Sequence, residues 1–152
     1  MTQLQADFKD FLSLLNAHRV EYLLIGGYAV GYHGYPRATV DLDVWIASTP
    51  DNAQRTVAVL REFGFTDPVL TPELFLERDR IVRMGVPPFR IEIATTISGV
   101  EFDPCYRSRI DAVIDGVPVP VIDLVSLRRN KRAAGRNKDL DDLENLPAGD
   151  SA

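Results

Sequence analysis

Between Val40 and Ile46 the chain alternates in character, with Val40, Leu42, Val44 and Ile46 on one side of an extended segment and Asp41, Asp43 and Trp45 on the other. A strand patterned this way needs an apolar core beneath it and something chemically different above it. The two carboxylates share a face, roughly 6 to 7 Å apart along the chain, near enough to share hard cations. Acids in the middle of an apolar strand destabilise a fold unless something offsets them. A divalent cation such as magnesium, which favours oxygen ligands, would do so. Taken alone, Asp-x-Asp on an alternating strand is more often a solvated sheet face, so its neighbours decide what it means.

Upstream, Tyr22 to Ile25 is a short apolar run ending at Gly26-Gly27, and Tyr28 to His33 reads as a short helix closed by Gly34. A glycine pair is ordinarily a turn. Between a strand and a helix it also lets backbone N–H groups and a helix N-terminus approach phosphate oxygens closely. The informative observation is the conjunction: a glycine turn, a short helix and then the acidic strand, all in consecutive elements.

Around this unit the periodicities are regular. Residues 3 to 18 form an amphipathic helix with Leu4, Phe8, Phe11, Leu12 and Leu15 on its core face. Thr49 and Pro50 open a helix through Ala53, Val57 and Leu60 that Gly64 stops. A short helical stretch follows at Glu73 to Glu77. Arg80 to Met84 and Phe89 to Ile97 then read as strands about the turn Gly85-Val86-Pro87-Pro88. In the second of these, Phe89, Ile91 and Ile93 share one face and Arg90, Glu92 and Ala94 the other. Ala112 to Ile114 and Val117 to Ile122 make a hairpin about Asp115-Gly116. Asp123 caps a helix ended by Gly135, and a last helix runs through Leu140, Leu143 and Leu146. These elements predict an α/β (α+β) fold, a mixed, largely antiparallel sheet with helices packed on it. It forms one domain over residues 1–146 with a polar tail at 147–152.

Composition narrows the setting. No apolar run reaches about twenty residues, and Met1 to Asp10 is polar with charges of both signs, so neither a membrane span nor a signal peptide is expected. The single cysteine, Cys105, has no partner for an internal disulfide or a cysteine-based metal site, which agrees with a cytoplasmic protein. The net charge of −5 argues against a general nucleic-acid coat, yet six of the seventeen basic residues fall between Arg128 and Lys138. His18 and His33 have no partner at metal-ligand spacing. Tyr28, Tyr32 and Tyr35 either line a base pocket or, more ordinarily, belong to the core.

Leu24-Ile25-Gly26-Gly27 followed by Asp41-Leu42-Asp43 resembles the defining signature of the nucleotidyltransferase superfamily related to polymerase beta. In that signature a hydrophobic-Gly-Gly turn precedes an acid-hydrophobic-acid strand. Arg37-x-Thr39-x-Asp41-Leu42-Asp43, with Lys131, Arg136, Lys138, Asp139, Asp142 and Leu143 downstream, is similar to the minimal bacterial members, including abortive-infection and toxin–antitoxin nucleotidyltransferases. The resemblance covers residues 22 to 146 and implies the nucleotidyltransferase fold. It also implies Mg2+ as cofactor, two ions with Mn2+ as the alternative, and a nucleoside triphosphate as substrate.

The resemblance further implies a third carboxylate on a neighbouring strand. Glu92 is the best candidate because its strand alternates with the acid on the polar face, although many relatives carry Asp there. The other reading makes Glu92 an exposed residue paired with Arg90 or Arg83. Glu101 and Asp103 are weaker substitutes. Lys131 lies four residues after Leu127 and seven after Leu124, on the apolar stripe of its helix, so it must reach something negative. In the family this is the triphosphate, with Asp139 a further motif acid. Arg136 and Lys138 complete an electropositive rim, or else pair at the surface with Asp141 and Asp142. Arg37 and Thr39 precede the acids, where they either touch phosphate or base or make local hydrogen bonds at strand entry.

The resulting expectation is a metal-dependent nucleotidyltransferase that moves a nucleoside monophosphate from a triphosphate to a hydroxyl of a tRNA or protein acceptor, in a toxin–antitoxin setting. The partners implied are the triphosphate, the acceptor and a cognate toxin or antitoxin, with self-association left open and no membrane. A second expectation, from a different class, is a catalytically silent nucleotide-binding, antitoxin or regulatory module that acts by binding a partner protein. A dinucleotide-binding fold built on Gly26-Gly27 fits poorly, because the spaced glycine fingerprint is missing.

Overall fold

The computed structural model describes residues 4–36, 41–86 and 88–148. The chain runs through α1 (Ala6–Ala17), β1 (Tyr22–Ile25), α2 (Gly26–Tyr32), β2 (Asp41–Ile46) and α3 (Pro50–Phe63), then a 3-10 turn at Pro72–Leu76. It continues with β3 (Ile81–Met84), β4 (Arg90–Ala94), α4 (Phe102–Arg107), β5 (Ile110–Ile114), β6 (Val117–Val121), α5 (Leu124–Ala134) and α6 (Asn137–Asn145). The strands form one six-stranded sheet in the order β3-β4-β2-β1-β6-β5. The β3–β4 and β5–β6 hairpins are antiparallel, as is β1–β2, whereas β2–β4 and β1–β6 are parallel. The acid-bearing strand β2 therefore lies inside the sheet, braced on both edges.

The alternation in β2 sets its two faces. Leu42, Val44 and Ile46 are wholly buried in the same core cluster as Phe8, Phe11, Leu12 and Leu15 of α1. Side chains of this kind stabilise a fold by roughly 1.5–3 kcal/mol each on full burial. At the start of α3 the Thr49 hydroxyl accepts from the Asn52 backbone N–H. Asn52 is itself buried and bonds Glu21 N, Glu21 O and Ala47 O at 2.7, 3.0 and 2.8 Å, locking α3 to the ends of β1 and β2. On the other face, Trp45 is covered by α4. Its ring meets Phe102 edge-on at 5.2 Å, and its indole N–H donates to Thr95 O. The acid face is closed at the Trp45 end and open at the Asp41 and Asp43 end.

Some expectations change. Helix α4 was not legible, because six residues are too few for a helical period to show. Strand β4 ends at Ala94, and Phe89 sits half-exposed in the β3–β4 turn and not on the core face. Leu140 on α6 faces solvent, while Asp139 and Asp142 are buried. Helix α5 begins at the Asp123 cap and ends at Gly135 in the left-handed conformation, as its sequence signals predict. It packs so closely on the turn after Ile97 that a Cβ on Gly99 would press on Ala133 Cβ. No helix among the described residues is long and apolar enough to cross a membrane.

Candidate active site

Strand β1 ends at Ile25, whose partner across the ladder is Asp43, and in place of the expected glycine turn α2 begins at once with Gly26 and Gly27, against the Asp43 carboxylate. Gly26 has φ +69°, and a Cβ there would overlap Oδ2 of Asp43. Both facts demand glycine. The register on the other edge of β2 pairs Asp41 with Arg90 and Asp43 with Glu92, and the Glu92 carboxyl is within hydrogen-bonding reach of that of Asp43.

The acids are thus brought together, and their environments differ. Burial, the hydrogen bond with Glu92, and the charges of Glu92 and Asp41 push the Asp43 carboxyl up to about 7, with Lys138 pulling the other way. Its Oδ1 is buried without a hydrogen-bond partner, a condition that costs about 1–3 kcal/mol for a buried acceptor. Asp41 is gripped by Arg90, Nε to Oδ1 at 3.1 Å and Nη2 to Oδ2 at 3.0 Å. Glu92 accepts from Arg83 Nε at 2.8 Å. This is the Glu92–Arg83 pair weighed above, and it sits in the same cluster as the aspartates. With the guanidinium groups in place, no three metal-ligating side chains among the described residues already converge on one point. The donor set nonetheless fits a hard divalent ion. Every donor is a carboxylate oxygen, and Asp43 Oδ1 is an unsatisfied acceptor beside a second carboxyl.

These side chains floor a cleft of about 850 Å³ walled by the α5–α6 junction. Gly26, Gly27, Ser98, Asn130, Arg136 and Lys138 are among its lining residues. Arg136 and Lys138 are exposed at the rim. The guanidinium of Arg136 is held in its charged form by its hydrogen bond to Asp139, against the effect of burial and with help from the charges of Asp139, Asp43 and Glu92. Arg136 and Lys138 thus bring two basic side chains to a cleft that also carries Asp41, Asp43 and Glu92.

Lys131 departs from the expectation that it reaches the triphosphate. Lys131 lines the cleft, and its Nζ is paired with Asp139 Oδ1 at 3.2 Å and Asp142 Oδ2 at 3.1 Å. The negative charge that a lysine on an apolar stripe must find is supplied by α6. Asp139 does not line the cleft. It is fully buried and closes the N-terminus of α6, with Arg136 Nε at 2.7 Å. Burial alone would raise its carboxyl, and hydrogen bonds from Arg136 and Lys131 more than offset that and hold it below the usual range. Arg136 pairs with the buried Asp139 while its own side chain stays 63% exposed, and not with Asp141 or Asp142 as the alternative reading expects. Asp141 instead accepts from the Tyr35 hydroxyl at 3.1 Å.

Arg37 and Thr39 lie outside the described residues. Glu101 is the N-cap of α4 and Asp103 lies in its first turn, and neither lines this cleft. Tyr28 packs edge-on against Phe8, and neither it nor Tyr32 or Tyr35 lines the cleft. His33 bonds Ile122 O, and His18 faces Glu62. What the sequence reading missed is the Asp41–Arg90 pair. The alternation of β4 puts Arg90 on the acid face, but only the register with β2 names its partner.

No protein-family model matches the chain, and no curated protein matches it. Solved structures do. A protein from Thermotoga maritima described as a candidate nucleotidyltransferase superposes with a TM-score of 0.58 at 14% identity, over 90% of this chain and 88% of that one. The antibiotic-resistance factor ANT(2'')-Ia in solution gives 0.58 at 12% identity, over 91% and 79%. The crystal structure of ANT(2'')-Ia with adenylyl-2''-tobramycin gives 0.53 at 13% identity, over 90% and 83%. At such identities the likeness shows the architecture alone: this chain has the nucleotidyltransferase fold.

Proposed function

We propose that the protein is a metal-dependent nucleotidyltransferase. An acceptor hydroxyl oxygen bonds to the α-phosphorus of a nucleoside triphosphate, the bond to the β-phosphate oxygen breaks, pyrophosphate leaves, and the hydroxyl proton passes to a carboxylate. Asp41, Asp43 and Glu92 would hold the magnesium ions, or manganese in their place. Such ions supply positive charge against the reacting phosphates. The chain's own contributions are Gly26 and Gly27, which let phosphate approach the backbone closely, and Arg136 and Lys138, which offset the charge of the triphosphate. Glu92, the carboxylate beside Asp43, is the group suited to receive the proton.

The observation that carries the reading is the unpartnered Oδ1 of Asp43, buried at the floor of a cleft beside a second carboxyl. A fold keeps such an atom at a cost when a ligand completes it. The acceptor hydroxyl belongs to a tRNA or a partner protein in the cytoplasm, in a toxin–antitoxin pairing. The neighbour crystallised with adenylyl-2''-tobramycin adds an aminoglycoside to these classes. In the test, labelled nucleoside triphosphates and magnesium are incubated with the protein and each acceptor class, beside the double variant Asp41→Ala/Asp43→Ala. Transfer by the wild type that is lost in a folded double variant supports the reading, and transfer retained in full sinks it.

A second reading, a silent nucleotide-binding or antitoxin module, is favoured by one observation: Arg90 and Arg83 already neutralise Asp41 and Glu92. Calorimetry with ATP or GTP separates the two. The enzyme requires metal-dependent nucleotide binding, and the module does not.

A further inference from the structure

Arg90 stands where a cation would. It grips both oxygens of Asp41, and its Nε is also 3.9 Å from Oε1 of Glu92. Two features set this pair apart from the buried Lys131 pairs. Its side chains are 34% and 20% exposed and line the wall of the cleft, where an arriving ligand can reach them. Arg90 and Asp41 are also register partners on adjacent strands. The grip therefore depends only on the long side chain, which can leave it without movement of the sheet.

Resting on the nucleotidyltransferase reading, we infer that Arg90 is a positioning residue that changes partners. It neutralises Asp41 while the site is empty, yields that carboxylate to the divalent ion arriving with the nucleotide, and pairs its guanidinium with the triphosphate. The planar fork that fits a carboxylate at two points fits a phosphate equally well, so the exchange trades one two-point pair for another. A bare metal ion has to displace the guanidinium without offering it a new partner, and binds weakly. An ion accompanied by a triphosphate offers that partner. Arg90 thereby couples metal binding to nucleotide binding, and by linkage the coupling runs in both directions.

The test measures Mn2+ binding to the full chain by electron paramagnetic resonance of free Mn2+, without nucleotide and with α,β-methylene-ATP. Wild type, Arg90→Met and Arg90→Lys are compared after urea melts confirm that each is folded. Arg90→Met is expected to tighten binding of Mn2+ alone by about fivefold and to weaken binding of the analogue in its presence by about fivefold, the scale of a partly exposed two-point pair. Arg90→Lys, which keeps the charge and loses the fork, moves both in the same directions by less. A purely structural arginine would weaken both together. If wild type binds the analogue with Mn2+ but Mn2+ alone binds the variants no more tightly, the partner exchange is wrong and the nucleotidyltransferase reading stands. If wild type shows no Mn2+-dependent binding of the analogue, both fall.

Discussion

Replacing Lys131 with methionine separates two roles that the sequence alone leaves joined. The Nζ lies 3.2 Å from Asp139 and 3.1 Å from Asp142, with the three side chains 6%, 0% and 1% exposed. Methionine keeps the length and apolar stem and removes the ammonium. Asp139 retains Arg136 at 2.7 Å, but Asp142 loses its ammonium in a site closed to water. Breaking a buried pair in this way costs about 3–5 kcal/mol. For a domain of this size each kcal/mol lowers Tm by about 2–4 °C, so a fall on the order of 10–15 °C is expected. Urea melts at pH 7 should show a lower midpoint with an unchanged slope. The double variant Lys131→Met/Asp142→Asn, which also removes the carboxylate that faced Nζ, should recover part of the loss. A single variant that loses less than about 1 kcal/mol refutes the reasoning. An unchanged melt with weakened nucleotide binding would return Lys131 to the phosphate role.

Two further outcomes follow from the same geometry. Because folding raises the Asp43 carboxyl from 3.8 to about 7, the native state holds the extra proton between those values and stability declines as pH rises through that window. In EDTA, Asp43→Asn should match wild type near pH 4 and exceed it above pH 7. The upper bound is about 4 kcal/mol from a shift of about three pH units, and parallel stability curves for the two proteins would contradict it. Gly26→Ala places a Cβ on the Asp43 carboxylate at a positive φ, so it should cost about 1–3 kcal/mol in thermal melts and abolish nucleotidyl transfer. Retention of normal activity by a stable Gly26→Ala protein would contradict the close approach.

Much of the architecture is written locally. Alternation in β2, the glycines after β1, the Asp123 and Gly135 caps of α5 and the hairpin about Asp115-Gly116 are interactions among residues a few positions apart, and they appear where their patterns place them. The same locality explains what was missed. Helix α4 is too short for a period, and Phe89 is apolar on a strand-like pattern yet falls in the turn.

The amino-acid sequence by itself determined which face of each element is apolar, where elements start and stop, and that two acids and a glutamate lie on polar faces. Only the tertiary structure decided which charges meet. Asp41 finds Arg90 across 49 positions, and Lys131 finds Asp139 and Asp142 on the next helix. Periodicity states which way a side chain points. Its electrostatic partner depends on strand register and helix docking, set by the packing of the whole core.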